Sequence, residues 1–95
     1  MKIMLPAAAP PALHDPDDFK SFSVEAEPGA ALSTLGRADD TTHVFISPTT
    51  LQALPGGRPD DAEWTASLAA MIAYAQSKGW TDGAGAIRAH VDWQS

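Results

Sequence analysis

The sequence predicts a small two-layer α/β (α+β) domain, in which helices pack on one face of a three- to four-stranded mixed sheet. The first observation is the alternation of apolar and polar residues in FKSFSVEAE, 19–27, and AIRAHVDW, 86–93, a pattern typical of strands with one buried face. The second is the length of the connections between strands. They exceed about a dozen residues, which is enough for crossovers between parallel strands.

The size of the chain indicates one domain, because separate cores are not expected in 95 residues. Large apolar side chains are few, with three residues each of Met, Trp and Phe. A domain this small leaves much of its surface exposed, and a second subunit could cover an apolar face. We therefore expect a homo-oligomer.

The first 18 residues contain four prolines, at positions 6, 10, 11 and 16. Proline removes a backbone donor and favours extended structure, so residues 1–18 are predicted to form a Pro-rich N-terminal arm. Within it, KIML, 2–5, could pair as a short edge strand. The domain itself is predicted to span residues 19–95.

Local signals define the remaining elements. Residues 30–36 favour a short helical segment that ends at a glycine, and HVFIS, 43–47, favours a buried strand. Ser47 and Pro48 suit the N-cap and first position of a short helix. The main helix is predicted from Pro59 to Gly79, with an apolar stripe of Trp64, Leu68, Met71, Ile72 and Ala75.

Charge and composition argue against several classes of function. The net charge is −6 and Lys and Arg do not cluster, so neither nucleic acid nor an anionic membrane is an expected partner. Without cysteine there is no disulfide framework and no thiolate chemistry. Prolines interrupt the apolar start, which argues against a signal peptide, and no apolar run reaches the ~18–20 residues of a membrane span. A cytoplasmic protein is expected.

The closing strand carries the first candidate site, formed by Arg88, His90 and Asp92. Side chains two residues apart in a strand share a face at ~6.5–7 Å. His90 could act as a general base, with Asp92 as its orienting partner and Arg88 as an anion clamp. His90 and Asp92 could also be two ligands of a metal ion, but such a site would need a third protein ligand. No metal site is predicted. The simpler interpretation, which the pattern favours, is the exposed face of a half-buried strand.

His43 opens the preceding strand and could extend this site. If the two strands are neighbours, His43 approaches His90, and Asp92 completes a set of two histidines and one carboxylate. The alternative is a hydrogen-bonded histidine at the rim of the sheet. The sequence does not establish the strand order on which this choice depends.

The second candidate site is the turn with Ser47, Thr49 and Thr50. A strand that ends at a helix N-terminus directs backbone N–H groups at one point and suits anions such as a carboxylate or small phosphate. The alternative is that Ser47 only caps the helix. Tyr74, at the edge of the helix stripe, could reach a pocket or an interface through its hydroxyl.

Two functions remain open, and the sequence favours the first. One is a homo-oligomeric protein-interaction or accessory module. The other is a cofactor-independent isomerase, lyase or ligand-binding protein for a carboxylate- or carbonyl-bearing metabolite, with His90 as general base. No cofactor is expected in either case.

Overall fold

A computed structural model describes residues 1–94 of the chain. These residues form a mixed six-stranded sheet with two α-helices and one short 3-10 helix. The strands are β1 (Lys2–Leu5), β2 (Ala12–His14), β3 (Ser23–Ala26), β4 (Arg37–Ala38), β5 (His43–Ile46) and β6 (Ile87–Trp93). The helices are α1 (Pro48–Ala53) and α2 (Ala62–Ser77), and the 3-10 helix is Leu32–Thr34.

The strand order is β2-β1-β3-β6-β5-β4. The neighbouring strands β1, β3 and β6 are parallel, whereas β2, β5 and β4 are antiparallel to their neighbours. The predicted class, a mixed sheet in an α+β domain, is therefore confirmed. The predicted number of three to four strands is too low, since β2 has three residues and β4 has two. Such short strands show no readable alternation.

The Pro-rich segment is part of the sheet. β1 lies between β2 and β3, with Ile3 beside both Leu13 and Val24. Ile3 and Leu13 are buried in the core, and β1 is an inner strand of the sheet, whereas KIML was expected to pair as an edge strand. Three of the four prolines lie in the 6–11 connection between β1 and β2, where no ladder hydrogen bond is lost. The last residue of the predicted 19–95 domain, Ser95, lies outside the described residues.

The core lies on one face of the sheet, under the two helices. Every second residue of β1, β3 and β5 is buried, and the predicted α2 stripe packs onto this layer. Trp64, Leu68 and Ala75 are buried, and Met71 and Ile72 are partly buried against them.

Local capping sets the ends of α2. The Asp61 side chain accepts hydrogen bonds from the backbone N–H groups of Glu63 and Trp64, so the helix begins at Ala62. Gly79 follows with a φ of 78°, which is the left-handed conformation that ends helices.

Two predicted elements are shorter than the sequence suggested. Residues 30–36 contain only the 3-10 turn Leu32–Thr34, and the strand predicted over 19–27 is limited to Ser23–Ala26. The freed segment 19–22 carries Phe19 and Phe22, which pack partly buried against the core. Both aromatic residues line a groove beside α2.

The second face of the sheet, here called the open face, is covered by neither helix. Its side chains in residues 1–94 are exposed or half-buried, and they alternate with the buried set along each strand. None of the helices in this part of the chain combines the length and apolar composition required to cross a bilayer.

Candidate functional site

A pair of histidines lies on the open face. His43 and His90 are register partners on the antiparallel strands β5 and β6. Their ring centroids are 5.3 Å apart with an interplanar angle of 69°, an edge-on contact. The strand adjacency on which this approach depended is thus present, and Asp92 lies two residues beyond His90 on the same face.

The turn before β5 holds His43 in place. Its Nδ1 lies 2.9 Å from the Thr42 hydroxyl and 3.4 Å from Oδ1 of Asp40. The Thr42 hydroxyl and backbone N–H both donate to that same carboxylate oxygen, each at 2.7 Å. These donors, with a smaller contribution from His43, lower the pKa of Asp40 to about 2. His43 is therefore a hydrogen-bonded residue at the edge of the sheet as well as a neighbour of His90.

The sheet register arranges the open-face side chains in three rows. The central one, the histidine row, crosses five strands as His14, Lys2, Ser23, His90 and His43. The members of a row belong to neighbouring strands about 4.8 Å apart. The row therefore runs perpendicular to the strands across the middle of the face.

The acidic row lies next to it, toward the carboxyl ends of the parallel strands. It contains Met4, Glu25 and Asp92 at one register level. Glu25 pairs with the ammonium group of Lys2 at 3.1 Å, and this hydrogen bond raises the pKa of Lys2. Asp92 has no ion-pair partner among residues 1–94.

The basic row lies on the other side of the histidines and contains Arg88, Phe45 and Arg37. The Arg37 guanidinium carbon lies 4.6 Å from the centroid of the Phe45 ring, a cation–π contact. Arg88 forms a salt bridge with Asp39 at 3.2 Å, in which both side chains are more than a third exposed. Exposed pairs of this kind are weak and exchange partners at little cost.

The predicted acid–base arrangement lacks an enclosed site. His90 and Asp92 are exposed, and neither lines any of the cavities found in the described part of the chain. General acid–base catalysis gains from a concave site that holds a substrate near the base. Residues 1–94 also contain no three His, Asp or Glu side chains arranged to hold a metal ion. Arg88, His90 and Asp92 share a face, yet of the three only Arg88 lines a described cavity, and that cavity would not place a substrate against His90.

The Ser47 turn is remote from the histidines. The Ser47 hydroxyl oxygen accepts from the Thr50 backbone N–H at 3.1 Å, and the Ser47 hydroxyl lies 3.0 Å from Oγ1 of Thr50. Thr49 is exposed. This turn follows the carboxyl end of β5. Because β5 runs antiparallel to β6, the turn lies at the amino edge of the parallel strands, whereas ligands of open α/β sheets bind at the carboxyl edge of those strands. The cap is confirmed, and a ligand role for these hydroxyl groups stays a prediction.

Tyr74 lies on the helix-bearing side of the domain and does not join His90. Its side chain is 57% exposed, and its ring centroid is 6.1 Å from that of Trp80 at 74°. Together they border a groove of about 430 Å³, which also involves Phe19, Phe22 and Met71. Sequence analysis missed this groove, because its walls come from segments 19–22, 71–75 and 80–88. The only local signal was the aromatic pair on either side of the α2 C-terminus.

Comparisons of the chain with protein-family models, with curated proteins and with solved structures find no match. Function must therefore be inferred from the residues of this chain.

Proposed function

We propose that this chain is a protein-interaction module that binds a second copy of itself through the open face of its sheet. The observation that carries the proposal is the order of the three rows. The acidic row and the basic row lie on opposite sides of the histidine row. A rotation of 180° about the histidine row exchanges the acidic side of the face with the basic side, so two copies can present opposite charges to each other.

The geometry of such a pair follows from twofold symmetry. Two sheets stack face to face at about 10 Å, and the symmetry axis runs along the histidine row between them. The acidic row and the basic row share only β6, so this rotation places Asp92 of one copy over Arg88 of the other, and the pair forms twice. The histidine rows then lie against each other at the centre.

Apolar side chains on the same face support the pairing. Met4 and Phe45 are half-buried within the rows, and Trp93, at the end of β6, is 38% exposed. The interface is still largely polar, and interfaces of low apolar content and small size are usually weak. We therefore expect reversible dimers with a dissociation constant in the micromolar range.

Charge reversal at Asp92 and Arg88 provides the test. Asp92→Arg and Arg88→Asp each place like charges against each other in the homodimer, so each variant should sediment as a monomer. An equimolar mixture of the two should form a heterodimer, and the double variant should dimerise again, because every contact regains opposite charges. Sedimentation velocity across the micromolar range measures all four samples.

The matched control is Asp60→Arg. Asp60 is exposed, lies before α2 and makes no side-chain hydrogen bond or salt bridge within residues 1–94, so this variant should dimerise like the parent chain. A parent chain that stays monomeric at every concentration would refute the proposal. So would a mixture of the two single variants that fails to associate while the parent chain dimerises.

A further inference from the structure

The groove beside α2 shares Arg88 with the open face but has a different chemical character. Its apolar wall is built from aromatic residues together with Met71, and its volume is about 430 Å³. Two of the three exposed large apolar residues in the described chain, Tyr74 and Trp80, border it. Pockets for small molecules typically measure about 300–1,000 Å³ and are lined mainly by apolar and aromatic side chains. The groove falls within that range.

The positive charges of the chain point to the same place. Of the six Lys and Arg residues, four form salt bridges with carboxylates: Lys2, Arg37, Arg58 and Arg88. The two others, Lys20 and Lys78, have no carboxylate partner in residues 1–94. Lys20 lines the groove, and the Lys78 ammonium lies 5.5 Å from the centroid of the Tyr74 ring.

Acidic side chains are absent from the described lining of this groove, although the chain has twelve Asp and Glu residues. The contrast with the cavity at 15–18 is clear, since three of its four lining residues are aspartates. Arg88 is a second cation in the lining, beside Lys20. In a chain of net charge −6, a site with these cations in its lining, Lys78 beside Tyr74 and no carboxylate in the lining attracts anions from solution.

We propose that this groove binds a small monocarboxylate that has an aromatic or aliphatic body. The body would lie against the ring faces of Tyr74 and Trp80, where apolar contact and aromatic stacking favour it. The carboxylate would be held at the rim by the ammonium groups of Lys20 and Lys78, through charge-assisted hydrogen bonds. The four residues assigned to this ligand, Lys20, Tyr74, Lys78 and Trp80, take no part in the proposed pairing through the open face.

The test uses two probes of the same shape, 2-naphthoate and its uncharged analogue 2-naphthamide. Each is titrated into the 15N-labelled full chain, and the amide and indole N–H signals are followed by NMR. Naphthoate should shift the signals of Trp80 and of segment 19–22, with saturation in the millimolar range or below. Naphthamide should bind about three- to tenfold more weakly, because it lacks the charge that the lysines recognise.

Variants test the charged rim and the aromatic wall of the site independently. The double variant Lys20→Gln, Lys78→Gln should weaken naphthoate binding about three- to tenfold and leave naphthamide unchanged. Its control, Arg58→Glu, changes the net charge by the same two units elsewhere and should leave both affinities unchanged. Trp80→Ala should weaken both probes, because it removes part of the wall.

Four outcomes would overturn the proposal. They are the absence of saturable shifts at the groove, equal affinity for both probes, equal weakening by the double lysine variant and by Arg58→Glu, and saturation at another surface. Binding to phosphatidylglycerol vesicles through Lys20 and Lys78, without binding of naphthoate, would also overturn it and would identify an anionic lipid surface as the partner.

Discussion

His43 and His90 lie opposite each other on β5 and β6, with ring centroids 5.3 Å apart. In the proposed dimer, the histidine rows of two copies meet at the centre of the interface, together with Lys2 of each row. The acidic groups that face them are Glu25 and Asp92 from the neighbouring row and Asp40 from the turn before β5.

We therefore expect a fixed positive charge at His90 to weaken the dimer, because the two copies of this residue face each other and like charges would meet at the centre. His90→Arg should raise the dissociation constant about three- to tenfold. Sedimentation equilibrium measures the effect. Asp60→Arg is the control, because it adds positive charge at an exposed position before α2, away from the open face. Equal dissociation constants for His90→Arg and Asp60→Arg would contradict the prediction.

The stability contributed by the turn that holds His43 should depend on pH. The pKa of Asp40 in the folded chain is about 2, below its ordinary value of 3.8. The ionised carboxylate therefore stabilises the fold above pH 3.8, and this contribution disappears as the pH falls toward 2. Asp40→Asn should lower the melting temperature at pH 7 and should have little effect at pH 2.

Thermal unfolding followed by circular dichroism at both pH values makes this comparison. Asp60→Asn serves as the control, because Asp60 accepts no side-chain hydrogen bond in residues 1–94 and its replacement should leave the melting temperature unchanged at pH 7. A difference between the parent chain and Asp40→Asn that persists undiminished at pH 2 would show that the effect is not electrostatic.

Gly36 lies where β4 approaches β5, and a side chain cannot be added there without moving the backbone. A Cβ at this position would meet the carbonyl oxygen of Phe45 at 1.9 Å. Gly36→Ala should therefore destabilise the fold, by about 2 kcal/mol, and disturb the pairing of β4 with β5. Gly83→Ala is the matched control, since no atom lies within 4 Å of the Cβ it would add. Urea unfolding of both variants tests the expectation, and equal stabilities would contradict it.

Substitution of Ile3 tests whether β1 is part of the core or a dispensable arm. Its side chain is fully buried at 0% exposure, so Ile3→Ala should reduce the free energy of unfolding by about 2–5 kcal/mol. Its neighbour Met4 points to the open face and is half-buried, so Met4→Ala should cost much less. Chemical denaturation measures both. If Ile3→Ala were as stable as Met4→Ala, β1 would not belong to the core.

Local patterns in the sequence determined which side of each long element is buried. The alternation in AIRAHVDW placed Arg88, His90 and Asp92 on one face, because successive side chains of a strand point in opposite directions. The spacing of apolar residues predicted the buried stripe of α2 in the same way. Capping by Ser47 and the stop at Gly79 depend on neighbouring residues only, and both were predicted.

Only the tertiary structure decided which elements lie side by side. β1 entered the sheet because Ile3 and Leu5 pack against β3, a contact that spans about twenty positions of sequence. The approach of His43 to His90 required the register of two strands joined through both helices. The groove required three separate segments to meet around Trp80. Pairings over such distances depend on the packing of the whole chain, so residue periodicity, which reports only local geometry, does not contain them.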